Sequence, residues 1–202
     1  MVIFLTYSVI RNREILMSLT HSLVGTILVA MPNLKDELAK SVILICGHDD
    51  KGAVGLIINK KIPALYLDDL LEQLNIPVIE SFPKHVPLYA GGEIDMGRGF
   101  VLHSNDYHHE QTIQINDTLS LTATLDVLNR IGAGNGPKLN LLALGYTNWE
   151  YGQLEQELKD NKWLWMECSD DLIFQDTEDK WQTLINTLRS QGGHLALDSG
   201  RC

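Results

Sequence analysis

The chain is built around short apolar runs, rich in Ile, Val and Leu and each stopped by glycine, proline or charge. They are "GTILVAMP" (25–32), "SVILICGH" (41–48), "AVGLIINK" (53–60) and "KLNLLALGY" (138–146). None approaches the roughly 20 apolar residues of a membrane-spanning helix. Their length and composition predict buried strands, so a sheet must form the centre of the fold. The "DDKG" turn between the second and third runs predicts a hairpin over 41–60.

Other stretches carry a helical period. "LYLDDLLEQLNI" (65–76) places apolar residues at 67, 70, 71 and 74, one helix face. "TATLDVLNRI" (122–131) predicts a helix with a cap at Thr122 or Thr124. "GQLEQELKDN" (152–161) and a threonine-capped segment over 177–190 complete the set, and "LKDELAK" suggests one helical turn. Further strands are expected on both sides of a glycine-rich loop within 86–104, over 111–117 and in "KWLWME". Hairpins mixed with helical crossovers predict an α+β fold: one compact domain with a mixed, largely antiparallel sheet packed by about four helices.

With 202 residues, the chain is long enough for one well-buried core without a disulfide or metal. Residues 17–190 are expected to form that domain. Residues 1–16 run from apolar to basic, the reverse of a secretion signal, and read as an extension ahead of Met17. Residues 191–202 read as a loosely docked tail. Three cysteines without regular spacing predict a reducing, cytoplasmic setting. The net charge of -10 and pI of about 5.0 oppose binding to a phosphate backbone, and no basic run offsets them.

"RIGAGNGPK" (130–138) resembles a phosphate cradle. It lacks Walker A spacing, follows a predicted helix and precedes a strand, so it reads as helix-ending punctuation. "GGEIDMGRGFVLH" (91–103) is a better ligand candidate. Its glycines permit close backbone approach and Arg98 offers a planar fork for an anion. Cys46 with His48 is a candidate thiolate pair, weighed against a buried core cysteine. His103, His108, His109 and Glu110 lack zinc-site spacing, so no metal or other cofactor is expected. Tyr146, Trp149 and Tyr151 are read as loop aromatics, and Gln153 and Glu155 as first-turn capping residues.

Taken in order and at their spacing, the segments "GTILVAMP", "SVILICGHDDKGAVGLIINK", "GGEIDMGRGFVLHS", "LTATLDVLNRIGAGNGP" and "LGYTNWEYGQLEQELKDNKWL" resemble the AlgH/YqgE family of bacterial proteins, from about Val24 to Leu188. Lys60 and Lys61 replace the family's usual Arg-Pro, and Thr147 and Asn148 its Ala-Gly. The resemblance implies a compact α+β cytoplasmic protein without an established activity; some members are described as transcriptional regulators. Asn59, Arg98, His103, Tyr146, Trp149, Gln153 and Glu155 are the motif residues expected to form a binding surface. A protein partner is the first expectation and a non-enzymatic role follows from it. A small anion at Arg98 is the second, an enzyme using Cys46 or His103 the third, and direct DNA contact the last.

Overall fold

The computed structural model describes residues 22–190. The extension over 1–16, the start at Met17 and the tail over 191–202 lie outside the described residues. The first half of the chain forms β1 (Thr26–Ala30), β2 (Val42–Asp49), β3 (Gly52–Ile57), β4 (Lys61–Tyr66), α1 (Leu67–Gln73), β5 (Pro87–Ala90) and β6 (Ile94–Ser104). The second half forms β7 (Ile113–Gln114), β8 (Leu119–Thr122), α2 (Leu125–Gly132), β9 (Asn140–Glu150), α3 (Gln153–Lys159), β10 (Trp163–Glu167), α4 (Asp170–Phe174) and α5 (Lys180–Ser190).

The sheet runs β10-β1-β2-β3-β9-β6-β8-β7, antiparallel throughout. β5 joins β9 in parallel and carries β4 on its other edge. The fold is therefore α+β with a largely antiparallel sheet, as the hairpin pattern predicts. β9 is the shared element. One edge pairs with β6; the other pairs first with β5 and then with β3.

Alternate residues of β9 feed two cores, because successive side chains of a strand point to opposite faces. Leu141, Ala143 and Trp149 join the larger core with β1, β2 and residues of α3, α4 and α5. Leu142 joins the smaller one, where Leu67 and Leu71 of α1 meet Val127, Leu128 and Ile131 of α2.

Glycines make the central crossing possible. A Cβ on Gly91 would lie 2.3 Å from the carbonyl oxygen of Gly145, and one on Gly92 2.0 Å from the carbonyl carbon of Tyr146. Gly145 itself has φ 73°. Here the β5–β6 connection lies backbone against backbone on β9. The glycines of 91–92 therefore face β9 rather than a ligand.

Several boundaries differ from expectation. β9 continues through Glu150, so Tyr146 and Trp149 are strand residues rather than loop residues; pairing with β3 from Gly55↔Thr147 to Gly52↔Glu150 supplies the ladder. The loop around Arg98 is part of β6, with a register shift between Ile94 and Gly99. The strand over 111–117 shrinks to two residues, and "LKDELAK" forms turns without a helix. β8 and α4 were not anticipated; α4 takes its cap from Ser169, which accepts from the Leu172 amide. Thr124 sits at the cap of α2 without a side-chain bond, and at α5 the Asp179 carboxylate, not Thr177, accepts from the Gln182 amide.

Gly92→Ala is expected to cost about 3 kcal/mol or more, because backbone must move to admit the methyl. Gly97→Ala, where nothing lies within 4 Å of the added Cβ, is expected to stay within about 0.5 kcal/mol. Urea midpoints of the two variants check this.

Candidate functional site

The seven motif residues do not converge on one surface; they fall into several separate groups. Asn59 closes the β2–β3 hairpin at its base: its Oδ1 accepts from the Val42 amide at 2.8 Å and its Nδ2 donates to the Lys40 carbonyl at 2.9 Å. Both ends of the side chain are bound to backbone, which explains an amide at this position.

His103 is fully buried on β6. Its Nδ1 donates to the Ser104 carbonyl at 2.8 Å, so in the neutral ring Nε2 accepts from the Thr122 hydroxyl at 2.9 Å. The Thr112 hydroxyl then donates to Thr122 at 2.7 Å, and the His109 amide to Thr112 at 3.0 Å. Burial pushes the His103 pKa down, against the pull of the Ser104 carbonyl and the Asp106 charge. The ring is a satisfied core group within this chain of donors, with no nitrogen left for a substrate.

His48 is closed in the same way. The Leu23 amide donates to Nδ1 at 3.1 Å, which leaves the proton on Nε2 facing Glu155 at 2.8 Å. Neither nitrogen points at Cys46, whose thiol donates to the Leu44 carbonyl at 3.6 Å. Burial pushes that thiol up to about 12, so it is protonated at neutral pH. Native Cys46 is expected to resist iodoacetamide at pH 7.5 and to react in urea. Mass spectrometry of the alkylated peptide decides this, and rapid native alkylation would restore the nucleophile reading.

Trp149, Gln153 and an unanticipated residue, Glu157, form one assembly. The buried indoles of Trp149 and Trp163 both donate to Glu157 Oε2, at 2.9 and 2.8 Å, and their rings meet edge to face at 6.0 Å. Gln153 donates to Oε1 at 3.3 Å and accepts from the Glu150 amide at 2.9 Å. Burial raises the Glu157 pKa; the Trp163 and Trp149 indoles, Lys162 and Gln153 outweigh it, and the net value lies below the ordinary 4.5. A carboxylate flanked by two tryptophans was the available sequence signal, but nothing local shows that both indoles turn toward it.

Glu157→Ala leaves two buried N–H groups without an acceptor and is expected to cost about 2–4 kcal/mol. The folded pKa is the lower one, so protonation favours unfolding: the stabilisation is present above about pH 4.5 and falls as pH drops through the folded value. Denaturation curves between pH 3 and 7 should therefore show the variant's deficit shrinking at the acid end.

Arg98 and Tyr146 remain. Where β6 shifts register, Asp95 takes φ 51° and the strand bulges outward. Met96 is 66% exposed. The Arg98 guanidinium lies 5.2 Å above the Phe100 ring, and Phe100 meets Tyr146 edge to face at 5.8 Å. Arg98 is exposed and makes no ion pair among the described residues. Arg98 and Met96 are exposed here, and the aromatic pair under the cation is half-buried, packed against the larger core.

These features define a single-domain α+β protein whose motif polar groups mostly hold the fold. A family model described as AlgH-like matches residues 27–195, and the chain belongs to that family. A "UPF0301 protein" of Jannaschia sp. (strain CCS1) is 44% identical over 186 residues, covering 90% of this chain and 96% of the relative. One from Rhodopseudomonas palustris (strain HaA2) is 42% identical over 185 residues, covering 87% and 85%. The solution structure of the AlgH protein from Pseudomonas aeruginosa is similar, with TM-score 0.70 and 34% identity, covering 90% of this chain and 95% of that one. The crystal structure of a Corynebacterium diphtheriae protein shares the fold at TM-score 0.67 and 19% identity, covering 83% and 87%.

Proposed function

We propose that the chain is a non-enzymatic cytoplasmic binding protein that acts through a protein partner at the Met96–Arg98–Phe100–Tyr146 surface. The observation that carries this reading is Arg98: exposed, stacked on Phe100 and without an acidic partner among the described residues. Methionine, arginine and aromatic side chains are enriched at protein interfaces, and such anchors carry most of the binding energy. The catalytic readings lack support because His48 and His103 are satisfied internally and Cys46 is a protonated thiol. The anion reading loses Gly91 and Gly92, which pack against β9, and keeps Gly97, which has open space beside Arg98. A regulatory role, if exerted through the partner, needs no contact with DNA, which the net charge of -10 opposes.

A photo-crosslinking residue in place of Met96, used in cells, is expected to give one discrete adduct. Adding Arg98→Ala should reduce its yield about tenfold, as for loss of an interface anchor. The same probe at exposed Glu178 should give none. Absence of an adduct at 96, or identical adducts at both positions, would refute the reading.

A further inference from the structure

A cavity of about 480 Å³ opens between two loops, residues 74–86 from α1 to β5 and residues 133–139 from α2 to β9. Glycines bring these loops together. The Ile79 amide donates to the Gly132 carbonyl at 3.0 Å. A Cβ on Gly132 would lie 2.8 Å from the Pro77 carbonyl oxygen, and one on Gly134 2.5 Å from Ile79 Cδ1. The "RIGAGNGPK" stretch is thus a helix stop whose glycines also seat the opposite loop.

Leu67, Phe82, Val86, Ile131 and Phe174 bring apolar side chains to the cavity wall, and polar groups supply nearly as much of its surface. Ile79 and Leu139 also line it, and each is 42% exposed; Val78, next to Ile79, is 47% exposed. The pocket and its surroundings therefore leave an unusual concentration of apolar surface open to water.

Its charge is as informative. The chain has 26 acidic residues, and none lines the cavity. The one charged lining residue is Lys138. The Asp106 carboxylate accepts from the backbone amide of Lys138, at 3.3 and 3.4 Å, and so fixes the root of the side chain. The ammonium group makes no close ion pair among the described residues, although its charge is one of the influences that hold the Asp106 carboxyl below its ordinary pKa. Ser81 and Asn140 add neutral polar groups; Asn140 donates through Nδ2 to the Pro137 carbonyl at 3.2 Å, leaving its side-chain oxygen as an acceptor. The volume falls in the range of small-molecule sites, and the mixed lining suits a ligand with both an apolar and a polar part.

We propose that this cavity binds a small amphipathic carboxylate. The apolar body lies between Ile79, Phe82, Val86 and Leu139, and the carboxylate meets Lys138 with Ser81 as a further donor. An ammonium at the same point would meet Lys138 as a like charge. The proposal does not depend on the Arg98 surface.

The test uses the full chain with octanoate as the probe, octylammonium as the charge-reversed control, and calorimetry with methyl NMR as readouts. Octanoate should bind saturably with one-to-one stoichiometry and shift the methyl signals of Ile79, Val86 and Leu139. Octylammonium should bind at least about tenfold more weakly. Lys138→Gln should weaken octanoate about tenfold, the loss of one charge-assisted contact, and Lys138→Glu at least as much, with a native circular dichroism spectrum in both. Ile79→Asp should abolish binding; both substituted side chains are exposed, so the variants should fold. No saturable shift of these methyls at millimolar octanoate, equal binding of octylammonium, full affinity in either Lys138 variant, or shifts only around Arg98 would each overturn the proposal.

Discussion

Everything in this molecule depends on one close contact, the backbone of Gly91 and Gly92 lying on that of β9 at Gly145. β9 can serve β6, β5 and β3 because the β5–β6 connection occupies almost no space where it crosses. The same strand supplies Leu142 to the α1–α2 side and Ala143 and Trp149 to the α3–α5 side. Separating the backbones would therefore disturb both cores at once. The crossing also sets the form of β6, whose register with β9 breaks between Ile94 and Gly99 and lifts Met96 and Arg98 outward. The surface proposed for binding is a by-product of the contact that holds the fold.

Buried polar groups are costly unless paired, and the structure pairs them over long sequence distances. Glu157 collects two indoles from β9 and β10. His48 on β2 is held between Leu23 and Glu155 of α3. His103 is coupled through Thr122 to Thr112. Each would be a plausible catalytic or metal-binding group if its residue type alone were considered. Each is instead the polar counterpart of a packed hydrophobic contact. Mechanism is a weaker explanation for such residues than satisfaction, unless a donor or acceptor is left over.

The sequence made local structure legible and long-range pairing illegible. The runs at 25–32, 41–48 and 53–60 became β1, β2 and β3 because burial on both faces leaves a continuous apolar signature. The helices at 67–73 and 125–132 were visible in their period. β8 was not, since "LSLT" is too short to show alternation and acquires its strand form from β6. The extension of β9 through "TNWE" was hidden because Asn148 favours turns and so short a run shows no alternation; β3 pairs with it and holds it as a strand. Of the site residues, Arg98 was legible as an arginine between glycines. Its stacking on Phe100 was not, and the cavity was not, because its two walls are loops far apart in the chain, 74–86 and 133–139.

On an acidic molecule the cations carry the most information about ligands. Several are engaged internally. Lys60 donates to the Glu37 carbonyl, Lys61 pairs with Asp176, Lys162 with Glu157, and buried Lys180 donates to the Ile173 carbonyl. Arg98 and Lys138 differ: each stands beside apolar groups and neither forms a close ion pair among the described residues, although Lys138 has the Asp106 carboxylate near its backbone. They lie at opposite ends of the β6–β9 ladder, which runs from Ile94↔Tyr146 to His103↔Asn140. The paired strands between them join the two proposed sites within one sheet. A face presented on a bulged strand suits a macromolecule, and a cleft between loops suits a small one. If occupancy of the cleft shifts the β9 start, the same ladder is the physical route by which it would reach the Arg98 surface. Such coupling requires that a ligand favour one arrangement of the ladder over another, because tight binding with no preference shifts nothing.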